Sequence, residues 1–384
     1  MDSREKVIVA LSGGVDSAVA ALLLKQQGYS VECLHMSNWE DDGYCDNARE
    51  FQHARAVADT LDLPLHRVNF ATEYRNAVFS DFLAELRNGR TPNPDVLCNR
   101  EIKFGILRGY ARRLGGELLA TGHYARLRSA TDGPVLLKGR DENKDQSYFL
   151  HAVRHDQFAD VLFPVGELRK REVRRLAADA GLSVADKKDS TGICFIGERP
   201  FTEFLERYLP CEPGPIVTLD NEVLGTHQGL AFYTLGQRHG LEIGGRRDCS
   251  PEPWYVADKR RTDNALVVVQ GTAHPALHTL CILAESPNWL SAAARATAES
   301  GELRCVAKTR YRQADQAARV SHAESGRLTV SFDVPQRAVT PGQYVVFYDA
   351  ERCLGGARIT DVNRIPACAE NRVIRSQAAE TSLI

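Results

Sequence analysis

The sequence predicts an α/β protein: an N-terminal parallel, helix-covered sheet, then a small central β-rich domain and a C-terminal antiparallel β-barrel. Three observations carry this. Over the first 125 residues, strand-like apolar runs alternate with amphipathic helical ones, the pattern of a parallel sheet with helices packed on it. From about residue 200 onward, the helical period gives way to short runs separated by turn residues. In the last third, Leu328, Val330, Phe332 and Val334 alternate with Thr329, Ser331 and Asp333, the period of a half-buried strand.

In chain order, strands are expected at 6–12, 30–36, 64–70 and 116–122, and helices at 16–28, 47–61, 72–89 and 101–115. A hairpin-like piece at 125–150 and a basic helix at 167–180 follow. Two strands are expected around Asp220–Asn221, a favourable turn pair, and two more within 253–271. The segments 340–349 and 353–359 continue the barrel. These patterns divide the chain at 1–200, 201–275 and 276–365, with a tail from 366 to 384 that has no clear pattern.

At 384 residues the chain exceeds one ordinary core, and 43% hydrophobic with 26% charged residues is a globular composition. No run reaches the length of a bilayer span and no secretory leader is visible, so the cytoplasm is the expected compartment. Ten cysteines are scattered with no CxxC pair, which argues against a zinc ribbon or a disulfide scaffold. The net charge of −2 neither indicates nor excludes a nucleic-acid partner. Basic clusters at 168–181, 186–190 and 308–313 read, one at a time, as solvated faces.

The first candidate site is "ALSGGVDSAVA" (10–20), where a strand turns into a helix. Gly13 and Gly14 let backbone amides approach an anion, Ser12 and Ser17 offer hydroxyls, and the helix N-terminus favours negative charge. The lysine of a Walker A loop is absent, and so is the GxGxxG spacing. A plain turn capped by Asp16 or Ser17 is the alternative.

The second is "GRTPNPDVLCNREIKF" (89–104). Pro92 and Pro94 stiffen it, so Asn93 and Asp95 stand on a fixed loop, and Cys98 falls where the helical pattern starts. The helix dipole, with Arg100 and Lys103, would favour a thiolate there, while Asp95 opposes it but is a possible proton carrier. A later loop, "DKKDSTGICFIGER" (186–199), puts Cys194 after Lys187 and Lys188, which favour a thiolate in the same way. For either cysteine alone a buried inert thiol is the commoner case, and a structural pair is a further alternative.

The string "SGGVDS" resembles the signature of the PP-loop ATP pyrophosphatases, a superfamily with an adenine nucleotide alpha hydrolase-like sheet, which splits ATP into AMP and pyrophosphate. That superfamily spans amine-transferring ligases and RNA-modifying enzymes. Eight ordered strings between residues 12 and 313 are similar to those of the tRNA-specific 2-thiouridylases: "SGGVDS", "HMSNWEDDG", "TPNPDVLCNREIKF", "ATGHYAR", "KDQSYFL", "DSTGICFIGER", "YTLGQRHGL" and "RYRQ". On these the chain is identified as a member of that family.

The resemblance implies ATP at Ala10, Leu11, Ser12, Gly13, Gly14, Val15, Asp16 and Ser17, with Met36 and Gly122 near the adenosine. It makes Asn93, Pro94 and Asp95 the contacts of the target base, Cys98 the nucleophile and Cys194 the persulfide carrier, with Asp95 as general acid or base. His123, Lys144, Asp145, Gln146, Arg310, Tyr311 and Gln343 match tRNA-contacting positions. His123, Tyr124 and Tyr311 are candidates to stack on bases, and the basic helix to line a phosphate track. Mg²⁺ would accompany ATP, with Asp16 as its candidate ligand; an iron–sulfur cluster on Asp95, Cys98 and Cys194 stays open.

The implied reaction is thiolation of the wobble uridine of tRNAs with lysine, glutamate and glutamine acceptors. The implied partners are tRNA and a persulfide-carrying sulfur donor protein, with no membrane and a monomeric chain. An amine-transferring ligase would use the same loop but no cysteine, and a plain RNA-binding or metal-storing module would leave the loop vestigial.

Overall fold

A computed structural model of the chain describes residues 5–40, 46–189, 201–243, 252–322 and 326–364. Its first sheet contains β1 (Lys6–Ala10), β2 (Ser30–Ser37), β3 (Leu65–Asn69), β4 (Leu118–Ala120) and the short strand Val161–Leu162. Their order is β3–β2–β1–β4 and then Val161–Leu162, and every pairing is parallel. Helices α1 (Val15–Gln26) and α2 (Asp46–Thr60) follow β1 and β2. Val7, Ile8 and Val9 of β1 are fully buried, because a central parallel strand has no solvent face on which to carry polar residues.

The strand order reverses between β1 and β4, and open α/β sheets bind ligands beyond the carboxyl ends of strands at such a point. The topology therefore places the loop after β1 beside the residues after β4. Strand Val161–Leu162 was not anticipated; two residues carry no readable period.

The expected helix at 101–115 begins earlier. Helical structure runs from Pro94 to Arg113, and Cys98–Leu107 within it is wound as a π-helix. Proline suits the first helical position, where its fixed φ is already helical and its missing N–H has no partner to lose. Cys98 therefore lies one turn inside the helix, its N–H bonded to the Pro94 carbonyl, and not at the mouth.

The central sheet has the order Trp254–Arg260, Ala265–Gln270, Gly214–Val217, Val223–His227, which contains both expected hairpins. Asn221, at the tip of one of them, takes φ 65°, as an Asp–Asn turn favours.

Strands His278–Trp289, Leu328–Arg337, Gln316–His322, Glu302–Lys308, Tyr344–Asp349 and Arg352–Arg364 pair antiparallel in that order. The last also pairs with the first, which closes a six-stranded barrel and removes its edges. Leu328, Val330 and Phe332 face the barrel core as expected, but Val334 is exposed, since the strand runs past the packed region there.

The hairpin Ala125–Ala130 and Gly133–Lys138 joins the barrel sheet through Leu137 opposite Arg352. Tyr148 donates from its hydroxyl to the Tyr344 carbonyl at 2.9 Å, and Asn288 donates to the His151 and Val153 carbonyls. One apolar cluster runs from Ile8 and Phe104 through Tyr148 to Tyr348 and Cys353 of the barrel. The first sheet and the barrel thus share a continuous core. The tail 366–384 lies outside the described residues, and no described helix is long and apolar enough to cross a membrane.

Candidate functional site

The glycine loop is held by its own serines. The Ser12 N–H donates to Ser17 Oγ at 3.2 Å, and the Ser17 hydroxyl donates to the Gly14 carbonyl at 3.1 Å. Gly13 has φ +83°, where a Cβ would lie 2.4 Å from the Glu50 carbonyl, so the turn requires glycine. Gly14 caps α1 with no side-chain hydrogen bond, so neither Asp16 nor Ser17 caps the helix, and its first turn presents amides and a positive dipole end. Gly122, just beyond β4, abuts this turn: a Cβ there would lie 2.6 Å from Ser17 N and 2.7 Å from Asp16 C. Met36 lies half-buried near the end of β2, between Leu34 and Ser37.

A charged network surrounds the loop, and the sequence reading missed it. Lys170 donates to both Asp16 oxygens at 2.7 and 2.9 Å, and also pairs with Asp189 at 2.7 Å. Tyr124 donates its hydroxyl to Asp16 at 2.7 Å. Lys187 donates to the Gly13 carbonyl at 3.0 Å and to Glu50 at 2.8 Å, so it faces the loop. Lys144 and Arg174 both bind Asp189.

The basic helix Lys170–Asp179 thus turns Lys170 and Arg174 inward and leaves Arg171 and Arg175 exposed. The i, i+4 spacing of Lys170 and Arg174, which puts both on one helix face, is the signal that could have found them.

Burial alone would raise the Asp189 carboxyl, but hydrogen bonds from Lys144 and Lys170 outweigh it and bring it down to about 2. A carboxyl lowered on folding contributes stability that is whole above about pH 4 and is lost as pH falls toward 2. Asp189→Asn is expected to remove part of that acid-side loss, which denaturant unfolding between about pH 2 and 5 would show.

Two base-stacking candidates are placed otherwise. Tyr124 is 2% exposed and its hydroxyl holds Asp16; burial first, then the Asp16 charge, pushes its ionisation up. His123 is buried between the rings of Phe104 and Phe163, with Nδ1 2.7 Å from the Thr121 hydroxyl. Burial, then Lys103, holds it well below the usual imidazole range, which favours the uncharged ring. Neither offers a face to a base, because both side chains complete the strand-end packing. Tyr311 is half-buried, its ring 4.6 Å from Phe149.

Asp145 is buried and accepts from the Gly139 and Ser147 amides, while Gln146 accepts from the Tyr124 amide. Both therefore hold the 139–147 turn. Arg310 is exposed and lines a cavity of about 210 Å³ with Thr234, Arg337 and Gln343, between the central sheet and the barrel.

Asn93 precedes the helix in an extended conformation, and Asp95 stands in the first helical turn. Cys98 is 1% exposed and packs within the shared apolar core. Arg100, expected beside the thiol, pairs with Glu101 at 2.6 Å, and Lys103 reaches to 3.5 Å from His123 Nε2. Through Lys103 the cysteine-bearing helix reaches His123, the neighbour of Gly122. Cys194, and any approach of Cys98 to it, lies outside the described residues.

Among the described residues no group of three His, Cys, Asp or Glu could hold a metal. Asp16, the candidate Mg²⁺ ligand, has its carboxylate taken by Lys170 and Tyr124, so the residues as they stand do not fit a metal site.

Residues 5–198 match the family profile described as the tRNA methyl transferase HUP domain. Residues 202–270 match the tRNA methyl transferase PRC-barrel domain, and 279–359 the Aminomethyltransferase beta-barrel domain. A protein of Sodalis glossinidius described as tRNA-specific 2-thiouridylase MnmA is 55% identical over 362 residues, 93% of this chain and 97% of its own length. Proteins so described from Vibrio cholerae and Proteus mirabilis are 53% and 52% identical, covering 94% and 93% of this chain and 97% and 98% of their own lengths.

Proposed function

The chain belongs to the tRNA-specific 2-thiouridylase family, and we propose that it uses ATP to replace the C2 oxygen of a tRNA wobble uridine with sulfur, by the following division of work. The observation that carries the reading is an uncapped glycine loop at the switch point, closed against Gly122, in a chain whose proline-stiffened arm bears Asp95 and Cys98.

Uracil's C2 oxygen is a poor leaving group. Its attack on the α-phosphorus of ATP would expel pyrophosphate and turn the oxygen into part of AMP, a good one. The amides from Ser12 to Ser17 cradle the phosphates, Gly122 lets the strand end close on them, and Met36 lies toward the adenosine. The sequence carries no Walker A lysine, and Lys170 and Lys187 supply that charge from elsewhere in the fold.

The terminal sulfur of a persulfide on Cys194 then attacks C2 and AMP leaves. Cys98 attacks the remaining sulfur, forms a disulfide with Cys194 and frees the thiocarbonyl. In the other order, Cys98 first releases hydrosulfide, which attacks C2. Either order ends in a disulfide that an external thiol reductant must reopen. Asp95 carries the proton, and Asn93 and Pro94 meet the base.

Lys144, Arg310 and Tyr311 are proposed to meet tRNA with the barrel and the 233–240 segment, and a persulfide-carrying protein to supply sulfur. The unit boundaries at 200, 275 and 365, a monomeric chain, a cytoplasmic site, and lysine, glutamate and glutamine tRNAs as substrates belong to the same proposal. So do the tRNA contacts of His123 and Asp145, which their burial makes indirect, and that of the half-buried Gln146.

Lys170→Ala is expected to raise the KM for ATP about tenfold or more and lower kcat less, since a hydrogen bond to a charged group contributes about 1.5–3 kcal/mol. Lys170→Arg should restore part of the loss. Pyrophosphate release on mixing chain, tRNA and ATP measures both. An unchanged KM in Lys170→Ala would remove this lysine from the site.

A further inference from the structure

We propose that Gln343 is a positioning residue, through which the C-terminal barrel fixes the arm that carries Asn93, Asp95 and Cys98. This rests on the reading of the arm given above. Gln343 precedes the barrel strand Tyr344–Asp349, and its own carbonyl is tied to the Ile359 amide at 2.8 Å. Its side-chain amide is directed at the arm. Nε2 donates to the Thr91 carbonyl at 2.8 Å and to the Pro92 carbonyl at 3.3 Å, and Oε1 accepts from the Asn93 side-chain Nδ2 at 3.3 Å. The Thr91 N–H completes the clasp by donating to the Pro341 carbonyl at 2.9 Å.

The arm needs such a partner for a reason written in its sequence. Pro92 and Pro94 have no N–H, and Asn93 is extended, so the carbonyls of Thr91 and Pro92 precede the helix and need donors from elsewhere. One side chain about 250 residues later supplies both. The same side chain borders the cavity that Arg310 lines. A substrate held by the barrel and a base offered to the arm are thereby kept in one frame. The resemblance makes Gln343 a tRNA contact; the hydrogen bonds of its side chain among the described residues run to the protein's own arm.

The test separates these roles with Gln343→Ala and the volume-preserving Gln343→Met in the full chain. The readouts are kcat for thiolation at saturating tRNA, tRNA Kd by filter binding, thermal melting, and the iodoacetamide alkylation rate of Cys98 followed by peptide mass. A positioning role predicts kcat down about ten- to a hundredfold, tRNA Kd within about twofold, and faster alkylation of Cys98, because loosened geometry near reacting atoms costs rate more than binding. A tRNA Kd raised tenfold with kcat intact would overturn it in favour of a contact. Unchanged kcat and alkylation would also overturn it, as would a rate loss that disappears on cooling below a lowered melting point. If the unmutated chain does not thiolate tRNA, it is the functional reading that fails; the alkylation comparison still reports on the clasp.

Discussion

Cys98→Ser is expected to abolish sulfur incorporation into tRNA, a loss of at least about a thousandfold, while ATP binding stays within about twofold. A serine hydroxyl neither forms a disulfide nor ionises near neutral pH, so the thiocarbonyl could not be freed from Cys194. The substitution is nearly isosteric in a site 1% exposed. Burying the hydroxyl there costs about 1–3 kcal/mol, so the chain should still fold. Pyrophosphate release in the variant shows that adenylation persists. Cys194→Ser should give the same phenotype. Persistent thiolation in the Cys98 variant would mean that this thiol is only a core residue.

Gly122→Ala is expected to raise the KM for ATP by about ten- to a hundredfold. Its Cβ would stand 2.6 Å from Ser17 N and 2.7 Å from Asp16 C, contacts that force β4 and the first turn of α1 apart. Overpacking of this kind costs about 1–3 kcal/mol, and a shift of about 1 Å at a cradle can cost a hundredfold in rate. The side chains that would move with it are Asp16 and, through it, Lys170 and Tyr124. Calorimetric titration with a non-hydrolysable ATP analogue reads the effect directly, and unchanged affinity would place the nucleotide elsewhere.

The fold was legible where the chain repeats a period. The four longer strands of the first sheet and both hairpins of the central sheet follow alternation and turn chemistry that neighbours in sequence already determine. What stayed hidden depends on contacts between distant segments. Closure of the barrel rests on Arg352–Arg364 meeting His278–Trp289, and the hairpin at 125–138 joining that sheet has no local signature.

Of the candidate site, Ser12–Ser17 and the arm were legible as candidates because glycines, prolines and a cysteine are unusual in those positions. Lys170 and Lys187 were not, since a lysine on a basic helix looks the same whether it faces water or a carboxylate. The burial of Tyr124 and His123 was likewise invisible, because an aromatic after a strand carries no mark of which way it turns. The start of the helix was misplaced because two prolines read as a loop, although one of them serves as its first residue.

The central claim is that this chain couples ATP cleavage to sulfur transfer onto a tRNA base. Mass analysis of the nucleosides from tRNA incubated with the chain, ATP and a persulfide donor tests it most directly. The predicted result is a wobble uridine with one oxygen replaced by sulfur, formed with equal amounts of AMP and pyrophosphate and only when ATP is present. Unmodified tRNA, with pyrophosphate released in response to an amino acid instead, would contradict it.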